Sequence, residues 1–258
     1  VGVDGRRIAL VVGAGRGIGR AVARGLAQAG HHVVGTHHTS TPDPDAGADI
    51  WYRCDLSEPA AAEALVRDVS RSVGPVDVLV SSAAVISDRL LLHTRDEEWA
   101  ETLTVDLVSQ QRLMRAAVPG MVASRWGRVV LISSVAALAG SSGQSAYATA
   151  KAAAAGLARQ VAVEVAADGV TVNVVAPGAV ATEQLARRSG PHLDAMARVI
   201  PAGRLGTAEE IAAVVAFLCT DDASFVNGVI IPVDGGLLIG GGFVRSNRDR
   251  LRAAATDR

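Results

Sequence analysis

Cysteine is scarce in this chain. Cys54 and Cys219 are the two in 258 residues, too few for a disulfide framework. Both lie in apolar or strand-like stretches and read as small core residues, as in a reducing compartment. Aromatic residues are only 3%, which argues against stacking platforms for single-stranded nucleic acid. Excess charge of one sign is missing too. With a formal net charge of −1, bulk electrostatics draws in neither nucleic acid nor an anionic membrane. No apolar run reaches the ~18 residues of a membrane span, and no charged-then-apolar leader opens the sequence. The expectation is a soluble, cytoplasmic protein with no nucleic-acid or membrane partner.

What the chain does have is apolar residues, at 49% enough for an extensive core. Short β-branched runs at Ile8–Val12, His32–Gly35, Ile50–Arg53, Val76–Ser81, Arg128–Ser133, Thr171–Ala176 and Val229–Val233 read as strands. They are mostly continuously apolar rather than alternating, as in strands covered on both faces. Helical patterns fall near 18–29, 59–73, 95–120, 145–168 and 207–219. Thr94 to Glu97 and Thr207 to Glu210 fit the capping-box pattern, and Ser57 precedes Glu58-Pro59. Such alternation predicts an α/β fold: a doubly wound parallel sheet of about seven strands flanked by helices. Residues 1–240 read as one domain and 241–258 as a solvated, flexible tail. The stretch 182–206 interrupts the rhythm and reads as a lid.

The first strand runs into Gly13-Ala14-Gly15-Arg16-Gly17-Ile18-Gly19, and a helix follows at once. Glycines there let backbone N–H groups approach a pyrophosphate at the helix N-terminus, as in a Rossmann domain. The spacing is G-x-x-x-G-x-G, not G-x-G-x-x-G. An NAD site usually has a carboxylate at the end of the second strand, yet residues 35–40 contain none before Asp43. Arg16 in the turn can pair with a 2′-phosphate, and His37 and His38 can add donors, so the charges favour NADP(H). Adjacent histidines in a strand point to opposite faces, which speaks against a metal there.

Tyr147 and Lys151 stand at i and i+4 in a small-residue helical stretch and share one face. Ser134 follows the apolar strand, at the carboxyl end where parallel sheets bind ligands. Ketone reduction needs a hydride on carbon and a proton on oxygen. Tyrosine at its ordinary pKa of ~10 holds that proton, and a nearby ammonium should pull the pKa toward the working range.

This glycine turn with Ser134, Tyr147 and Lys151 resembles the short-chain dehydrogenase/reductase family over residues 6 to 240. The resemblance implies that Ser134 hydrogen-bonds the substrate oxygen, that Tyr147 transfers the proton, and that Lys151 also holds the nicotinamide ribose. It places Asp55, with Leu56, near the adenine, though Asp55 also reads as a plain turn or capping acid. It places Asn173 to Thr182 along the nicotinamide: Pro177 and Gly178 shape the turn, Val180 offers backbone contacts and Thr182 a hydroxyl. Asp234-Gly235-Gly236 matches a closing structural turn.

The chain departs from the family pattern in three places. Val12 replaces a threonine. Ser81-Ser82-Ala83-Ala84 replaces an Asn-Asn-Ala-Gly turn, with Ala83 still expected at the cofactor wall. In Val105-Asp106-Leu107 an acid replaces the asparagine that relays protons to the lysine. Asp106 facing Lys151 would keep the relay and shift the pH optimum; bonded to backbone or solvent it would do neither. Within the family, Ile200–Gly206 and Ile211–Phe217 most resemble 3-oxoacyl-(acyl-carrier-protein) reductases, implying reduction of a 3-oxoacyl thioester. Arg125 matches a basic position used against an acidic carrier protein, while Asp168 stands where a second is common. Arg187-Arg188 could meet a phosphopantetheine phosphate or simply be solvated. A dehydrogenase of a free alcohol or cyclic ketone, and a non-catalytic cofactor binder, are the competing readings. The helices at 95–120 and 145–168 carry surplus apolar surface, which with the resemblance implies a homotetramer.

Overall fold

A computed structural model describes residues 3–240 except 40, 41, 44, 184, 188 and 189. The expected tail, Arg188 and the side chain of Arg187 lie outside the described residues. Among these, the apolar runs form β1 (Ile8–Val12), β2 (His32–His37), β3 (Ile50–Arg53), β4 (Val78–Ser81), β5 (Gly127–Ile132), β6 (Val170–Pro177) and β7 (Ile230–Val233). They pair in parallel in the order β3-β2-β1-β4-β5-β6-β7. Helices α1 (Gly17–Gln28), α2 (Ala61–Ser72), α3 (Asp96–Leu103), α4 (Ser109–Ser124), α5 (Ser145–Val165), α6 (Gly190–Val199) and α7 (Ala208–Leu218) complete the element order. None is long and apolar enough to cross a membrane.

The absence of alternation in the strands has a direct packing cause. Ile8, Leu10 and Val12 join Leu79, Val129, Leu131, Val172 and Val174 on one face, under α2, α4 and α5. Ala9 and Val11 join Val78, Val80, Val130 and Val175 on the other, under α1 and α7. Helices cover both faces, so both halves of the β period are mostly apolar, and buried exceptions such as Thr36 and Asn173 spend their polar atoms on backbone groups. Cys219 belongs to this core and Cys54 is half-buried; burial pushes their thiols up to about 12 and about 11.

Several sequence expectations need correction. The segment 182–206 is not bare loop, for it contains the 3-10 turn Leu185–Arg187 and α6. The helix expected over 95–120 is three pieces: α3, a π-helical turn at Thr104–Val108, and α4. Thr94 is not the cap of α3. The first turn begins after Arg95, whose amide donates to Glu98, while the Thr94 hydroxyl donates to the Leu90 carbonyl. Nor does Ser57 cap α2, which starts four residues later; its amide and hydroxyl both bond Asp55.

At α7 the box forms as expected. The Glu210 amide donates to the Thr207 hydroxyl at 3.2 Å, and the Thr207 amide donates back to the Glu210 carboxylate at 2.8 Å. Because α7 packs on α1, fraying there loosens the layer that carries the glycine turn. Thr207→Ala should cost about 1 kcal/mol, measured as a lowered denaturant midpoint with an unchanged slope.

Candidate active site

From β1 the chain runs outward to β2 and β3, then returns to lay β4 on the other side of β1. The chain leaves β1 for α1 on one face of the sheet and leaves β4 toward α4 on the other, so a crevice opens between the segments that follow them. Its floor has no room for side chains. A Cβ on Gly13 (φ +84°) would fall 2.7 Å from the Ala83 amide nitrogen, and one on Gly19 would fall 2.0 Å from the Gly13 carbonyl oxygen. The turn is held from β2, since the Thr36 hydroxyl accepts the Gly13 N–H at 2.9 Å and its carbonyl accepts the Ala14 N–H at 2.9 Å. Nothing in the sequence pattern singled out Thr36; its role depends on strand register.

No side chain caps the start of α1, where exposed Arg16 is the N-cap and Gly17 (φ +53°) and half-buried Ile18 follow. Across from them lies the segment after β6. A cleft of about 350 Å³ is lined by Gly17, Arg20, Thr182, Glu183, Leu185 and Leu205. Thr182 accepts the Leu185 N–H, and its methyl faces Gly17. Arg20 pairs with Glu183, whose carboxylate also bonds the Gly17 backbone and is held below the usual range by backbone bonds and by Arg20. Sequence reasoning missed this pair, as any contact across 163 positions leaves no local pattern.

The expected lining residues divide into two groups. Pro177 ends β6, Gly178 lies close against Asp234, and Val180 bridges Gly206. Asp234 takes the Gly236 and Leu238 amides, the structural role expected of it. Asn173, however, lies back from the crevice as a staple: its amide donates to the Val226 carbonyl and its oxygen accepts the Val229 N–H. His37 and His38 diverge as strand neighbours must. The half-buried His37 ring packs edge-on to Trp51, and exposed His38 lies 3.0 Å from Asp55. Asp55 closes its own turn through Ser57, ahead of buried Leu56; those bonds chiefly, then His38, hold its carboxyl below the usual range.

Ser134, Tyr147, Lys151 and Asp106 come together beside the end of β5. Ser134 starts a 3-10 turn and accepts the Ala136 N–H at 3.1 Å; its side chain also bonds the Tyr147 hydroxyl. The Lys151 ammonium is 3% exposed. It donates to the Ile132 carbonyl at 3.1 Å and lies 3.5 Å from Asp106 Oδ2. Asp106 Oδ1 accepts the Val85 N–H at 2.8 Å, fixing the segment after Ala83. Burial pushes the Asp106 carboxyl up, opposed by Lys151 and the Val85 bond.

One sequence expectation fails here. Lys151 does not draw Tyr147 toward neutrality. Its ammonium sits 5.6 Å from the phenol ring centre and is turned to Ile132 and Asp106. Burial first, then the Asp106 charge, push Tyr147 up to about 12 against the Ser134 bond. The phenol holds its proton at neutral pH.

The model of the family described as Enoyl-(Acyl carrier protein) reductase matches residues 13–238. The chain is 40% identical over 237 residues to Escherichia coli 3-oxoacyl-(acyl-carrier-protein) reductase FabG, covering 90% of this chain and 97% of that one. It is 38% identical over 241 residues to the Haemophilus influenzae protein of the same name, covering 90% and 98%. To 3-oxoacyl-(acyl-carrier-protein) reductase MabA of Mycobacterium avium it is 39% identical, covering 91% of each. The crevice, the glycine turn and these matches agree: the chain belongs to the short-chain dehydrogenase/reductase family of oxidoreductases.

Proposed function

We propose that the protein reduces the 3-oxo group of an acyl thioester, using NADPH, in fatty-acid or polyketide-type biosynthesis. The observation that carries this reading is the meeting of Ser134, Tyr147 and Lys151 beside a crevice whose glycines leave no space for a Cβ. The names of the relatives point to the same substrate class. The rim supports an apolar acyl chain. The Gln144 amide donates to Asp88 and Gln144 bridges Arg89, which draws exposed Leu90, Leu91 and Leu92 toward the start of α5.

A dinucleotide fits the residues present. The uncapped N-terminus of α1, with Gly13, Gly17, Ile18 and Gly19, would hold its pyrophosphate. Asp55, Leu56 and Ala83 would flank the adenosine; Pro177, Gly178, Val180, Thr182 and Lys151 would hold the nicotinamide end. Arg16, whose guanidinium makes no hydrogen bond or ion pair among the described residues, would take the 2′-phosphate beside His37. A bound nicotinamide cofactor supplies the hydride; the protein supplies the proton. Tyr147, protonated at neutral pH, gives its hydroxyl proton to the substrate oxygen. Ser134 fixes that oxygen and stabilises its developing charge.

A carrier protein would dock through exposed Arg125, whose guanidinium is already shared with the Ala167 carbonyl at 3.0 Å and Asp168 at 3.4 Å. The apolar groove between α4 and α5, lined by Met114, Val118, Leu157 and Val161, supports pairing of copies toward a tetramer in the cytoplasm.

The direct test is cofactor oxidation with a short 3-oxoacyl thioester, NADPH and NADH side by side. Turnover with NADPH and little with NADH is expected; turnover only with free ketones or alcohols would remove the thioester assignment. Tyr147→Phe should lower kcat by about 10²- to 10⁴-fold while cofactor still binds, and full activity in this variant would refute the proton-donor role. Arg16→Ala should weaken NADPH binding by about ten- to a hundredfold and leave NADH binding nearly unchanged, read by fluorescence titration.

A further inference from the structure

Asp106 has no exposed surface, and its two oxygens are used unequally. Oδ1 accepts the Val85 amide, while Oδ2 makes no hydrogen bond and faces the Lys151 ammonium at 3.5 Å. It reaches this position from the π-helical turn, deep between α3 and α4. The ionic and polar groups around the Tyr147 phenol are Ser134 from the turn after β5, Lys151 from its own helix, Asp106 from the π turn, and Asp88 from the segment after β4. Asp106 itself faces Lys151 and the Val85 amide.

We infer that Asp106 is a positioning residue for proton transfer: by pairing with Lys151 it withdraws that cation's field from Tyr147 and so sets the pH at which the phenol ionises. An isolated ammonium beside a phenol stabilises the phenolate, but an ammonium paired with a carboxylate acts as a dipole, whose field falls off faster. The carboxylate adds its own repulsion toward a phenolate, and burial leaves little water to screen either charge. Asparagine at position 106 would keep the acceptor for Val85 and remove the charge. The ammonium would then act on Tyr147 unopposed. The ratio of forward to reverse rates at one pH is fixed by the overall equilibrium, so both directions would shift their pH profiles together.

The inference rests on Tyr147 being the proton donor, but its test needs no substrate. Tyr52 and Tyr147 are the two tyrosines of the chain, so a Tyr52→Phe background leaves one phenol to observe by ultraviolet phenolate absorbance. With Asp106 present, little phenolate is expected at pH about 10, where an ordinary tyrosine is half ionised. Asp106→Asn should move the titration down by about one pH unit and raise the phenolate signal several-fold. Asp106→Glu, which keeps the charge, should leave it low. Asp106→Ser, which also offers Val85 an acceptor, serves as the second neutral variant, with folding of each checked by circular dichroism. Equal phenolate in the Asp and neutral variants would overturn the inference. So would loss of the fold in both neutral variants, which would assign the carboxylate to stability alone. Failure of thioester turnover would bear on the proposed reaction and leave this titration as it stands.

Discussion

Keeping an ammonium group dry is the constraint on which the site depends. Lys151 is almost wholly enclosed, and a buried cation without partners costs several kcal/mol or loses its proton. Its partners come from two places: the Ile132 carbonyl at the end of β5 and Asp106 from the π turn. Those contacts fix where α5 lies along the sheet. The Ser133 hydroxyl tightens the same junction by donating to the Lys151 carbonyl at 3.2 Å. Ser134 and Tyr147 are then brought together by chain continuity, from the strand end and from one helical turn before the lysine. The Val85 bond to Asp106 extends this support to the wall of the crevice, so the side chains around Lys151 and the crevice share one anchor.

The opposite end of the sheet is held by a different device. Arg128, 2% exposed, gives hydrogen bonds to the carbonyls of Thr220, Gly127 and Gly169. Its guanidinium lies 4.5 Å from the centre of the Trp126 ring, and that of Arg7 lies 3.4 Å from it. Asp221 takes the Trp126 indole N–H at 2.7 Å and the Arg7 guanidinium at 3.2 Å. Charged groups hold both ends of the apolar sheet, but only at the carboxyl ends do they lie beside the crevice.

Much of the fold was legible because buried parallel strands must be apolar on both faces, and Val129–Ile132 or Val172–Val175 can hardly be read otherwise. The set Ser134, Tyr147 and Lys151 was legible for a local reason: Tyr147 and Lys151 lie four positions apart on one helix, and Ser134 follows the end of a strand. What could not be read depends on contacts between distant segments. Thr36 serves the glycine turn only because β2 lies beside β1 in one register. Glu183 reaches Arg20 only because the segment after β6 folds back over α1. The acidity of Tyr147 was misjudged because helical spacing places Lys151 on the right face but does not say which way its ammonium turns. Asp55 was readable both as a cofactor contact and as a turn acid, and its bonds to Ser57 are those of the turn.

The π-helical turn at Thr104–Val108 amounts to one residue more than an α-helix would need over the same path. Each residue of an α-helix advances the side chains by about 100°. Deleting a single position in this turn would restore regular winding over that path and leave α4 (Ser109–Ser124) in phase, with Leu113, Met114, Ala117 and Met121 still in the core. What would be lost is the bulge that presents Asp106 to Lys151. The same deletion inside regular α4 would instead turn everything beyond it by about 100°. The extra residue therefore serves the site and not the core, and the chain tolerates a change of length here more readily than within α4.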